Sequence, residues 1–244
     1  MPLTGTLVNV VAVLFGTLAG TLLGDRLPER LRETVMHALG LVTLAVGVDG
    51  ALAAFRPPLS ELTRASVLLV LGSVLVGGVV GELLRIEDGL NSLGGRLKRR
   101  FASDREHHAQ FTEGFVVASL VFCVGPMAIL GAIQDGLSGD FQLLAIKSLL
   151  DGFAALAFAS ALGWGVGFSI LPVFVYQGSI TLAASSLSDV ITPEVVAGLT
   201  AAGGILILGI SLRLLELKQV RVGNLLPALV LAPVAVGIAQ AIVG

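Results

Sequence analysis

The chain has 244 residues, 55% of them hydrophobic and 13% charged, with a mean hydropathy of +0.95. Soluble domains carry about 25% charged residues, so an ordinary cytosolic enzyme is excluded and every apolar run must be tested as a membrane span of about 20 residues. A net charge of −2 with 3 His offers nucleic acid no basic surface, and the single Cys123 can close no intrachain disulfide and has no ligands at metal spacing.

In chain order, the opening MPLTGTLVNV has no Lys or Arg ahead of its apolar run and reads as a retained first span, 5–24, closed by Asp25 and Arg26. The second span covers 35–54 and includes Asp49, and the third covers 66–81 and ends on Glu82. From 84 to 101, Ile86, Leu90, Leu93, Leu97 and Phe101 recur at helical spacing among Arg96, Lys98, Arg99 and Arg100, which predicts an amphipathic helix in the membrane interface. A fourth span, 112–133, kinked at Pro126, is followed by a Gly- and Asp-rich loop at 134–140.

Between Asp151 and Asp189 lie 37 uncharged residues, about 55 Å of helix and too long for one crossing. The turn-forming Gly163-Trp164-Gly165-Val166-Gly167 divides them into a fifth span, 143–163, and a sixth, 166–187. The seventh covers 195–212 and the eighth 222–244, with kinks expected at Pro227 and Pro233. Seven spans plus a re-entrant segment is the rival count. With eight, the loops after spans 1, 3 and 7 hold 12 of the 15 Lys and Arg, which places those loops in the cytoplasm and both termini outside.

Leu14-Phe15-Gly16-Thr17-Leu18 resembles Tyr176-Gln177-Gly178-Ser179-Ile180, each block is followed by a Pro-Glu pair (Pro28-Glu29, Pro193-Glu194), and Ala38-Leu39-Gly40-Leu41-Val42 matches Ala202-Gly203-Gly204-Ile205-Leu206. Spans 1–3 thus repeat as spans 6–8, and because span 1 runs inward and span 6 outward the repeat is inverted, as in many secondary transporters. The expected fold is an all-α integral membrane protein of about eight transmembrane helices in one membrane domain. Its parts are a first three-helix repeat at 1–84, a cytoplasmic interfacial helix and loop at 85–111, two connecting spans at 112–163, and a second repeat at 164–244.

The stretches GTLVNVVAVLFGTLAG, PERLRETVMHALGL, EGFVVASLVFCVGPMAILGAIQDGLSGD, KSLLDGF, YQGSITL and VGNLLPALVLAP resemble the YqgA/YdfK-type family of bacterial integral membrane proteins of unknown function, over nearly the whole chain. The resemblance implies a multi-pass protein of the bacterial inner membrane with a transport association. It brings no catalytic or binding residues.

Polar groups at membrane depth are costly and therefore functional candidates. Asn9, Asp49, Asp151, Gln177 and Asn224 qualify. Asp151 follows Lys147 by four residues on one helix face, where the two can neutralise each other or, alternatively, Asp151 can bind a proton or monovalent cation. Asp49 can reach the interface, and Asn9 and Asn224 can bond between helices. Gln177, between Pro172 and Gly178-Ser179, marks an expected break in the sixth span, with Ser179, Thr181 and, from span 1, Gly16 and Thr17 beside it. The candidate binding residues are Asn9, Thr17, Asp151, Gln177, Ser179 and Asn224. Small-xxx-small spacing at Gly16, Gly20 and Gly24, and at Gly77 and Gly81, predicts close helix contacts, within the chain or across a homodimer.

Catalysis is not expected. His37 stands at the cytoplasmic end of span 2, His107 and His108 sit in a loop, and there is no phosphate-binding loop of the ATPase type. The sequence therefore points to a secondary transporter of a small solute or ion, proton- or cation-coupled, in contact with the lipid bilayer, needing no cofactor or metal. The alternatives are a passive channel, which needs a continuous polar pore, and a membrane scaffold.

Overall fold

The computed structural model describes residues 2–24, 28–62, 65–101, 108–187 and 190–243. The sequence expectations for Arg26, Arg64, Asp104, Arg105, Glu106, His107 and Asp189, and for the side chains of Lys98, Arg99, Arg100 and His108, lie outside the described residues. The described part is helical without a strand: α1 Thr4–Gly24, α2 Glu29–Ala51, α3 Leu59–Leu62, α4 Ser66–Leu83, α5 Ile86–Phe101, α6 His108–Val124, α7 Pro126–Ser138, α8 Gln142–Leu162, α9 Ile170–Leu182, α10 Ala184–Leu187, α11 Pro193–Leu214 and α12 Ala228–Val243. Among the described residues, 6 helical segments are long and apolar enough to cross a membrane, and 7 if the bent pair at 110–138 counts as one span. Large apolar side chains face outward along them, among them Leu75 at 71% and Phe153 at 67% exposure, as suits a lipid-facing surface.

Several boundaries differ from the sequence expectation. Gly125-Pro126 bends the α6/α7 pair by 61°, with Pro126 in the first turn of α7, where a missing N–H costs nothing. The helix then continues to Ser138, so most of the segment expected as a loop at 134–140 is helical and the connection shrinks to 139–141. Pro172 likewise lies in the first turn of α9, and α9 runs unbroken through Gln177 and Gly178 to Leu182. The irregular backbone lies before it, in a 3-10 stretch at Gly163–Ser169 that opens on Gly163 with φ 75°, a conformation costly for any residue with a Cβ. Pro227 immediately precedes α12, leaving Pro233 inside it.

The chain folds into two compact units, 1–39 with 90–187, and 40–89 with 188–244, crossing from one to the other within α2, within α5 and after α10. In the first unit, α1 and α8 run parallel. Gly16, Gly20 and Gly24 of α1 lie so close to α8 that a Cβ on each would overlap the carbonyl oxygens of Gly152, Leu156 and Ser160 in turn. α9 returns antiparallel to α1, with Leu3 beside Gly178, Asn9 bonded to Gln177 and Thr17 against Gly167. The 41-residue apolar segment 142–182 is thus a hairpin turned at Gly163–Ser169. α7 ends beside the start of α1, where Gly5 N donates to Asp135, so α7 too runs opposite to α1. Phe111 against Phe168 and Phe122 against Phe158, with ring centroids 5.4 and 6.4 Å apart, fill the space between α6, the hairpin turn and α8.

In the second unit, α11 is antiparallel to the end of α2, pairing Gly47 with Leu208 and Gly50 with Gly204. α12 is antiparallel to α4, pairing Gly77 with Ala228 and Gly81 with Asn224. Its core joins Ala54, Leu59, Val70, Val195, Ala202, Ala232 and Val236. Both sets of small-xxx-small glycines are thus used for close helix contacts inside a unit. Replacing Gly20 by Leu drives a side chain into the Leu156 carbonyl and should destabilise the protein by more than the ~1–3 kcal/mol usual for overpacking. Gly72→Ala, where nothing lies within 4 Å, should leave the melting temperature in detergent unchanged or higher.

Candidate polar site

One stripe of α1 carries Thr6, Asn9, Val13 and Thr17, spaced so that all share a face. Antiparallel to it, Ser169, Val173, Gln177 and Thr181 recur every fourth residue from the hairpin turn through α9. The Asn9–Gln177 bond fixes the register, which sets Val13 level with Val173 and Thr17 level with Ser169. All eight side chains are at most 2% exposed, in the packing between helices whose other faces meet lipid.

At the centre, Asn9 Nδ2 donates to Asp151 Oδ2 at 3.0 Å and to Gln177 Oε1 at 3.2 Å. Asp151 Oδ2 is ion-paired with Lys147 Nζ one turn earlier on α8, the pairing that the i,i+4 spacing allows. Lys147 and Asp151 are 5% and 8% exposed. A charge taken from water without a partner costs several kcal/mol, so each is stable there only because the other is present. The hydrogen bonds leave Asn9 Oδ1, an acceptor, and Gln177 Nε2, a donor, without partners. Along the same seam Thr6 Oγ1, Thr17 Oγ1, Ser169 Oγ and Thr181 Oγ1 are also buried without partners, as is Asp135 Oδ1. Buried polar atoms are nearly always hydrogen-bonded, so this concentration along one helix pair is unusual.

Of the six candidate residues, the structure gathers Asn9, Asp151 and Gln177 into one bonded cluster and sets Thr17 further along the same seam. Ser179 lies outside it, exposed, its hydroxyl donating to the Tyr176 carbonyl at 2.9 Å. Two residues beyond Gln177 on a helix is about 200° around the axis, so both cannot face α1. Asn224 belongs to the second unit. Its Oδ1 accepts from Glu87 N at 2.8 Å and its Nδ2 donates to Glu82 Oε2 at 2.5 Å. Glu82 and Glu87 are in turn held by Arg221 and by Arg213 with Gly223 N, which ties the start of α5 to the α11–α12 connection. Asp49 pairs with Arg56 at 2.8 Å on the surface. Asp135 was hidden by its assignment to a loop; with Pro126 read as a helix start, Ala128, Ala132 and Asp135 fall on one face. Thr6 and Ser169 were legible as members of the two spaced stripes. Among the described residues no group of three or more His, Cys, Asp or Glu could hold a metal ion.

The family described as "Protein of unknown function (DUF554)" matches residues 4–237. The chain belongs to the DUF554 family. It is 29% identical over 237 residues to the "Uncharacterized membrane protein YdfK" of Bacillus subtilis (strain 168), covering 97% of each chain. It is 33% identical over 230 residues to the "Uncharacterized protein YqgA" of Escherichia coli (strain K12), covering 93% of this chain and 94% of that one. No solved structure matches. The family expected from the sequence motifs is thus the family found, and this DUF554 member is a membrane protein of several apolar helices, in lipid contact.

The pairing of Lys147 with Asp151 predicts a thermodynamic cycle. Lys147→Met or Asp151→Asn alone should cost about 3–5 kcal/mol by stranding a charge, while the double variant should recover most of that loss. Melting of the purified variants in detergent measures it, and independent, additive losses would show that the pair is not coupled.

Proposed function

We propose that this protein is a secondary transporter of a small polar solute or ion across the bacterial inner membrane, coupled to a proton or monovalent cation. The observation that carries the proposal is the α1–α9 seam. In hydrocarbon, a purely structural seam is expected to satisfy its own polar atoms. Here a donor, an acceptor and several hydroxyls stay unmatched beside a neutralised Lys–Asp pair. A polar solute bound there would supply the missing partners and let Lys147 and Asp151 exchange contacts with it.

Val13 and Val173, both fully buried, interrupt the polar stripe between Asn9–Gln177 and Thr17–Ser169. A passive channel needs a continuous polar pore, whereas a transporter needs a barrier that moves. Asn9, Asp151 and Gln177 gather in one cluster, which supports transport, while Asn224 lies apart in the second unit.

Counting the hairpin as two crossings and the bent pair as one gives eight. The antiparallel neighbours are then spans 1 and 6, 4 and 5, 2 and 7, and 3 and 8. The inverted repeat of spans 1–3 and 6–8 requires each of these pairs to run in opposite directions, as eight alternating crossings do.

A melting screen of the purified protein against ions and small metabolites tests the proposal, since a ligand at a hundred times its Kd stabilises by about 2.7 kcal/mol. At least one polar solute should raise the melting temperature. Gln177→Leu, which removes the unpartnered Nε2 donor along with the acceptor of one Asn9 bond, should lose that response, while Asn9 keeps its bond to Asp151. A solute response that survives Gln177→Leu unchanged would remove the seam from the binding role.

A further inference from the structure

Asp135 stands apart from the Lys147–Asp151 pair and has a different electrostatic problem. It is 1% exposed. Its Oδ2 accepts from Gly5 N at 3.1 Å, while its Oδ1 has no partner. Thr6, next to Gly5 on α1, and Thr181 on α9 are 0% and 2% exposed, with both hydroxyls unpartnered. These residues come from three helices that meet at one level. Gly5 is bonded to Asp135, and the neighbouring Gly136 lies so close to α9 that a Cβ there would overlap the Thr181 carbonyl oxygen.

The first turn of α1 offsets part of the carboxylate charge through its partial positive end, roughly half an elementary charge. Among the described residues no Lys, Arg or His pairs with Asp135, and Lys147 is engaged by Asp151. An isolated carboxylate at this burial therefore calls for a mobile positive charge. We propose that Asp135, Thr6 and Thr181 form a site for a dehydrated monovalent cation of sodium or potassium size. The chemistry selects the class. The donors are hard oxygens, with no thiolate or imidazole to favour a transition metal. One carboxylate among neutral hydroxyls balances a single positive charge, whereas calcium takes 6–8 oxygens, commonly with several carboxylates among them.

The site lies one helical turn from Asn9 and Gln177 along the same seam, since Thr6 precedes Asn9 by three residues and Thr181 follows Gln177 by four. Its role as the coupling site rests on the transport proposal, and it moves that role from Asp151, whose charge is already offset, to Asp135. Occupancy itself does not depend on transport.

The test is melting of the purified full-length protein in sodium, potassium or N-methyl-D-glucamine chloride at equal ionic strength and fixed pH. Sodium or potassium should raise the melting temperature saturably over the bulky organic cation. Asp135→Asn should melt alike in all three salts. Thr181→Val, which keeps the shape and removes one oxygen, should move the half-saturating concentration up by about tenfold, the effect of losing one contact worth about 1.4 kcal/mol. Identical melting of the parent in the three salts, a response to pH alone, or a cation response that persists in Asp135→Asn would each overturn the assignment. A cation response without any solute response would leave the site standing and remove the transport proposal; a solute response without a cation response would do the reverse.

Discussion

Within hydrocarbon a polar group has no water to fall back on, and the first unit is organised by that constraint. Lys147 and Asp151 neutralise each other, Asn9 holds Asp151 from the facing helix, and Gln177 holds Asn9 from a third. That chain of contacts requires α1 to approach α8 closely along its length. The glycines at 16, 20 and 24 allow the approach, since any side chain there would collide with the α8 backbone. The same approach buries the α1 stripe against α9. Close packing and polar pairing thus depend on one another.

The two units treat polar groups differently. In the second, Glu82, Glu87 and Asn224 have partners on both of their polar ends, supplied by Arg221, Arg213 and the backbone of Gly223 and Glu87. Such a cluster fixes the helix connections and holds little unused bonding capacity. The first unit keeps unmatched donors and acceptors in its interior. Unsatisfied buried groups cost stability, and the proposed solute-binding role rests on their concentration along this one seam.

Most of the helices were legible because uncharged runs and helical spacing report membrane crossings directly, and the i,i+4 relation of Lys147 and Asp151 already implied an ion pair. The bend at Pro126 falls where the sequence places it, 61° between α6 and α7. The break expected between Pro172 and Ser179 falls earlier, at Gly163–Ser169, because Pro172 stands in the first turn of α9, where proline is tolerated. Misplacing the end of α7 hid Asp135. Ser179 is a candidate in the sequence as a hydroxyl beside the expected break, but α9 continues through it as helix, and its facing direction depends on the register with α1 that the Asn9–Gln177 contact sets. Asn224 was included because it is polar and near a span end, while its true partners, Glu82 and Glu87, are about 140 residues away in sequence.

The central claim is that the α1–α9 seam admits water and solute during the working cycle. Thiol labelling measures this directly, using Thr6→Cys and Thr17→Cys, one on each side of the Val13–Val173 layer, in a Cys123→Ser background with small membrane-impermeant reagents applied from either face of the membrane. The account predicts that both positions react, with reactivity altered by a bound solute. Complete protection of both positions from both faces, in protein that melts like the parent, would contradict it and leave the seam as a dry structural core.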